Sequence, residues 1–89
     1  MLSREAEITN KLGLHARASA KFTQLAGKYK SEVYMSKGSR RINAKSIMGV
    51  MMLAAGVGSK VTVETDGPDE AEAMEALLEL IASKFHETE

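Results

Sequence analysis

The sequence predicts an α+β fold: an open-faced β-sandwich in which one four-stranded antiparallel sheet carries three helices on one face. Period-two alternation in short stretches, helical periodicity in longer ones, and glycine-bearing turns between them give the order β-α-β-β-α-β-α. The 89 residues leave room for one domain, expected to span 1–89, with a thin core and no deep cavity.

The elements follow in chain order. Leu2, Ala6 and Ile8 alternate with Glu5, Glu7 and Thr9, the signature of a half-buried strand. A connection runs from Asn10 to Leu14 and contains Gly13. From Ala16 the period becomes helical: Ala18, Phe22, Leu25, Ala26 and Tyr29 share one face, with Arg17, Lys21, Gln24 and Lys28 opposite. Gly27 marks the last turn of that helix.

Glu32 to Ser36 returns to alternation, with Val33 and Met35 inward, and Lys37-Gly38-Ser39 is a turn into a weaker strand from Arg40 to Ala44. Ser46 introduces a short helix from Ile47 to about Leu53, closed by Gly56 and Gly58. Val61 and Val63 alternate in the last strand. Asp66-Gly67-Pro68-Asp69 is turn chemistry, and Asp69 with Glu72 predicts a capping box. Met74, Leu77, Leu78, Ile81 and Phe85 form the apolar stripe of the final helix, and the chain is expected to fray at Glu87, Thr88 and Glu89.

Composition excludes several functions. Twelve basic and twelve acidic side chains cancel, so no global field attracts nucleic acid or an anionic membrane. Cysteine is absent, which removes disulfides, thiolate catalysis and cysteine metal sites. The start of the chain is charged from Arg4 and lacks the apolar core of a signal peptide, and no run approaches the ~20 apolar residues of a bilayer span. A cytoplasmic protein is expected.

Chemistry concentrates in Gly13-Leu14-His15-Ala16-Arg17, where a loop becomes a helix. A phosphoryl acceptor needs a neutral lone pair near pH 7, which imidazole supplies. It also needs relief for incoming negative charge. The backbone N–H groups of Ala16 and Arg17 at a helix start, with the macrodipole, offer that relief. The Arg17 side chain adds a planar fork of donors. A histidine before a helix is more often an ordinary cap or a solvated residue, and His-x-Arg spacing alone does not decide between the two.

Gly13-Leu14-His15-Ala16-Arg17, after a strand ending Ile8-Thr9-Asn10-Lys11, resembles the active-site segment of HPr, the histidine-containing phosphocarrier family of the bacterial phosphotransferase system. Lys45-Ser46-Ile47-Met48-Gly49-Val50 resembles that family's second signature at the matching distance, and the resemblance covers essentially the whole chain. It implies that His15 receives a phosphoryl group on Nδ1 from enzyme I, charged by phosphoenolpyruvate. His15 would then pass the group to an enzyme II A domain, with Arg17 pairing with its oxygens. One departure is Ala18, where the family commonly has proline. Alanine keeps the helix and loses some stiffness in its first turn.

Ser46 sits at an N-cap, and capping a first-turn N–H is the plain reading. The resemblance implies a regulatory phosphorylation site for an HPr kinase/phosphorylase, with the added charge repelling acidic partner surfaces. Ile47, Met48, Val50, Met51, Met52 and Leu53 make the short helix apolar almost all round. Complete burial is one reading. The other turns Val50 and Leu53 inward and leaves Ile47, Met48 and Met51 as a docking patch, with Arg17 and Lys21 steering acidic partners.

The basic turn from Lys37 to Arg41 and the distant His86 read as solvated features, and two separated histidines give no support for a metal. No glycine-rich nucleotide loop is present, and no cofactor is expected. A monomer without nucleic-acid partners is expected. The rival readings are a ferredoxin-like nucleic-acid or regulatory module and a small histidine-dependent hydrolase. The strands lack the stacking aromatics of the first, and the second lacks an evident partner acid or base.

Overall fold

Alternation gives each strand one apolar face, and the register brings those faces together. Ala6 lies opposite Val61, Met35 opposite Val63, and Val33 opposite Thr65. The strands are β1 (Leu2–Glu7), β2 (Glu32–Lys37), β3 (Arg40–Asn43) and β4 (Lys60–Asp66), in the sheet order β1-β4-β2-β3 with every neighbouring pair antiparallel. Helices α1 (Ala16–Ala26), α2 (Ile47–Met52) and α3 (Glu70–Ala82) cover the apolar face, as the sequence predicts. The computed structural model describes residues 1–87.

Helix α1 buries Ala18, Phe22 and Ala26 as its periodicity requires, and also buries Ser19 and Thr23. Those hydroxyls are tolerated inside because each donates to a nearby carbonyl: Ser19 Oγ to Leu14 O at 3.0 Å and Thr23 Oγ1 to Ala20 O at 3.1 Å. The helix stops at Ala26, where the Gly27 N–H closes the last turn on Thr23 O at 2.9 Å. Tyr29 therefore lies beyond the helix and not on its apolar face, in the turn that follows, where its N–H donates to Ala26 O at 3.2 Å.

The capping box predicted at Asp69 does not form. Asp69 occupies the N-cap of α3 but makes no side-chain cap bond there. Its carboxylate reaches across to the α1–β2 connection, accepting from Lys30 N–H at 2.9 Å, Ser31 N–H at 2.9 Å and Ser31 Oγ at 2.5 Å. Two amides and a hydroxyl converging on one carboxylate outcompete a single first-turn amide. The Ser31 hydroxyl bond, then the Lys30 amide, hold the Asp69 carboxyl well below its ordinary 3.8, at about 2.

The expected stripe of α3 also changes at its end. Ala73, Met74, Leu77, Leu80 and Ile81 are buried in α3, and Leu78 is only half-buried. The helix ends at Ala82, and Phe85 enters the core from a separate 3-10 turn, Lys84–His86. Lys84, Phe85 and His86 have φ of 58°, 58° and 60°. Left-handed backbone costs ~1–2 kcal/mol per residue outside glycine. The complete burial of the Phe85 ring offsets part of that strain.

A tight approach anchors the β1–α1 connection. Gly13 has φ +65°, and a Cβ there would lie 2.5 Å from Ala55 O and 2.7 Å from Gly56 Cα. Beside it, the Leu14 N–H donates to Ala55 O at 2.8 Å, tying this connection to the segment after α2. Gly13→Ala is expected to lower stability by roughly 2 kcal/mol or more through strain and clash, seen as a Tm drop of ~10 °C in a thermal melt.

The Asp69 clamp has a signed pH dependence. A carboxyl held down in the folded chain contributes stability that is complete above pH 3.8 and is lost as pH falls through about 2. Denaturant melts across that window should show the Asp69→Asn chain less stable than the parent at neutral pH. The gap should close as the parent protonates, and a gap independent of pH would contradict the clamp.

Candidate functional site

The site begins with a change of backbone state at one residue. His15 is extended at φ −73° and ψ 179°, while Ala16 starts α1, so His15 is the N-cap. Its carbonyl accepts from the Ser19 N–H at 2.8 Å, and its ring nitrogen Nδ1 accepts from the Arg17 N–H at 3.2 Å. The imidazole thus does what Ser, Asp or Asn does at an ordinary cap, satisfying a first-turn amide. The ring is about a quarter exposed, so Nδ1 sits at the surface over the positive end of α1.

The other ring nitrogen has a partner that the sequence did not suggest. His15 Nε2 lies 2.7 Å from Glu87 Oε2, while Glu87 Oε1 accepts from Asn10 Nδ2 at 3.0 Å. The sequence predicts fraying at Glu87 with Thr88 and Glu89. Glu87 is instead packed against His15, and the other two lie outside the described residues. The left-handed turn explains the difference: it buries Phe85 and carries the chain back toward the start of α1. Burial pushes the Glu87 carboxyl up. The bonds from Asn10 and His15, with the charge of Lys21, outweigh it and hold the carboxyl below its usual range.

Asn10 is wholly buried. Its Nδ2 also donates to Gly13 O at 2.8 Å, and its Oδ1 has no hydrogen-bond partner among the described residues. Turning the amide over would set that oxygen against two acceptors, so the orientation follows from its neighbours. Neither Asn10 nor Glu87 carries a local sequence signal, since Glu87 is 72 positions from His15. The one available hint is that an apolar Phe85 beyond Ser83 implies a chain still packed on the core.

The remaining predicted residues fall in two places. Ala16 and Arg17 are exposed in the first turn of α1. They border one open depression with His15, Lys21 and Glu87. Lys21 differs from its expected solvent-facing role, because its Nζ donates to Phe85 O at 2.7 Å and is half-buried. That ammonium braces the left-handed turn that carries Glu87. Ser46 is exposed and caps α2, its Oγ accepting from the Gly49 N–H at 3.2 Å.

Val50 and Leu53 are buried while Ile47, Met48, Met51 and Met52 are 43%, 70%, 39% and 57% exposed. This is the split in which α2 turns only one face to the core. Helices α1 and α2 pack together, which puts the apolar face and the His15 loop on the same layer. The end of α2 is braced by the basic turn, with Arg40 donating to Met52 O at 2.7 Å. Among the described residues no group of acidic, histidine or cysteine side chains is arranged to hold a metal ion, and no helix is long and apolar enough to cross a membrane.

Known proteins resemble this chain in sequence and fold. Residues 2–83 match the PTS-HPr family model, described as the PTS HPr component phosphorylation site. The phosphocarrier protein HPr of Cupriavidus necator is 70% identical over 89 residues, covering all of both chains. The crystal structure of HPr from Thermoanaerobacter tengcongensis superposes with a TM-score of 0.96 at 46% identity over the whole of each chain. A structure of an HPr dimer from that organism gives 0.79 at 47%, covering 98% of this chain and 100% of that one. With a histidine-capped helix, an exposed Ser46-capped helix and this full-length similarity in place, the chain belongs to the HPr family of phosphocarrier proteins of the phosphotransferase system.

Proposed function

We propose that this protein accepts a phosphoryl group on Nδ1 of His15 from phospho-enzyme I, ultimately from phosphoenolpyruvate, and donates it to enzyme II A domains in the cytoplasm. The observation that carries the reading is the surface imidazole whose Nδ1 lone pair is turned onto the Arg17 amide at the start of α1. The lone pair forms the N–P bond while the donor's bond to phosphorus breaks and its electron pair returns to the donor. The Arg17 N–H, released from Nδ1, then faces a phosphoryl oxygen, and the Ala16 N–H and the Arg17 guanidinium supply further donors. Partner surfaces complete each transition state, because the open depression around His15 cannot exclude water by itself.

Docking is assigned to Arg17, Lys21 and the exposed Ile47, Met48 and Met51. Adaptable methionines beside a basic helix start suit acidic partners that bind in turn. Lys21 acts there through its charge, its ammonium being tied to Phe85 O. Ser46 is assigned as a regulatory phosphorylation site for an HPr kinase/phosphorylase, being exposed at the edge of the same face. The working unit is one chain, since His15, Arg17 and the α2 face all belong to it. A nucleic-acid module would read bases on the open sheet face. There Tyr34 lies under the Arg41 guanidinium, 3.9 Å from the ring centroid, and Arg41 also pairs with Glu64 at 2.8 Å.

Incubation with phosphoenolpyruvate and enzyme I should place an acid-labile, base-stable phosphate on the chain. His15→Ala should abolish it, and Arg17→Ala should slow it by ~10–100-fold, the worth of a charge-assisted hydrogen bond. A label retained by His15→Ala would defeat the reading.

Ser46→Asp should slow acceptance from enzyme I while changing stability by less than ~0.5 kcal/mol, since aspartate caps a helix as well as serine does. Paired stopped-flow and melting measurements check this. A large loss of stability with unchanged transfer would remove Ser46 from the docking face.

A further inference from the structure

The mechanism above uses one ring nitrogen of His15 and leaves the other unexplained. A neutral imidazole has a single N–H, so its two partners must agree on where that proton lies. The Arg17 amide can only donate, which requires a lone pair at Nδ1. The Glu87 carboxylate can only accept, which requires the proton at Nε2. Both contacts select the same tautomer.

Glu87 is itself held in place. Asn10, buried and oriented by Gly13 O, donates to Oε1, and the Glu87 side chain is only 16% exposed. Phe85 buries its ring two residues earlier while its carbonyl accepts from Lys21 Nζ. A carboxylate fixed at 2.7 Å from an imidazole and oriented by an asparagine has the logic of the acid in a catalytic triad, which steadies its histidine without touching substrate.

We propose that Glu87 is the positioning residue of His15: its carboxylate keeps the proton on Nε2, aims the Nδ1 lone pair at the start of α1, and balances the positive charge the ring gains when Nδ1 bonds to phosphorus. This rests on the phosphocarrier reading and adds a residue to it. As the N–P bond forms, the donor's bond to phosphorus breaks and the ring becomes a phosphoimidazolium still carrying its Nε2 proton. On onward transfer the N–P electron pair returns to Nδ1, leaving neutral imidazole. No proton need enter or leave in either direction. Because the protonated ring is the better leaving group, Glu87 keeps the phosphoryl group transferable and shortens its resting lifetime.

The test uses the full chain, with Glu87→Ala and Glu87→Gln beside the parent. Proton–nitrogen NMR of the His15 ring should show a downfield, exchange-protected Nε2–H in the parent that is lost in Glu87→Ala and weakened in Glu87→Gln. Stopped-flow transfer from phospho-enzyme I should be about tenfold slower in Glu87→Ala, with an unchanged KM for enzyme I. The phosphohistidine of both variants should persist several times longer. Glu87→Gln keeps an acceptor without charge, so it should restore ring position more than rate and guard against a simple folding defect.

Parent-like transfer rate and lifetime in both variants would overturn the proposal, as would the absence of a protected Nε2–H in the parent. Failure of the parent to take phosphate on His15 would instead defeat the phosphocarrier reading. The ring NMR needs no partner and would still report whether Glu87 holds the imidazole.

Discussion

An imidazole gripped at both nitrogens is the constraint to which much of this small structure answers. One grip is a backbone amide of the first turn of α1, the other a carboxylate that arrives from the far end of the chain. Neither grip works unless the rest of the fold delivers it. The amide depends on His15 being extended just where α1 begins, and that depends on a Gly13 turn too tight for any Cβ. The carboxylate depends on a left-handed turn held by the buried Phe85 ring and by the Lys21 ammonium on its carbonyl. Asn10 joins the two, bonding the Gly13 carbonyl and the Glu87 carboxylate with one amide nitrogen.

The architecture suits a carrier more than a self-contained catalyst. Four strands and three helices enclose one apolar layer, with the reactive ring at its margin. A phosphoryl group held there, as proposed, would meet donors on one side and solvent on the other. The missing half of the environment must come from whichever protein docks. In the proposed function helix α2 serves that docking: it exposes methionines on one face while Val50 and Leu53 lock its other face to the core. An apolar surface left exposed on a single chain is tolerable because it is small.

Much of this was readable from residue order. Strand alternation gave Val33, Met35, Val61 and Val63 as core, and all four are buried. His15 and Ser46 stand at helix starts, where their spacing to the apolar runs placed them. The departures share one cause. Local pattern places Tyr29 in α1, Asp69 in a capping box, Phe85 in α3 and Glu87 in a frayed end, and in each case a contact distant in sequence or a local turn overrides it. Periodicity reports which face a residue would take if its element continued. It is silent on where a cap ends the element and on which distant amide offers a better partner.

What the sequence alone determined is therefore the set of local conformations: alternation for strands, a helical stripe, a glycine that permits a tight turn, and a histidine where a helix must begin. Those follow from interactions within a few residues, which is the range over which sterics and backbone hydrogen bonding act. Tertiary structure decided everything that needs two ends of the chain to meet. It took Asp69 from its own helix to Ser31, tied the Lys21 ammonium to Phe85, and brought Glu87 across 72 positions to the ring of His15. Such pairings are selected by burial and by the need to satisfy enclosed polar groups, and those conditions exist only once the core has closed.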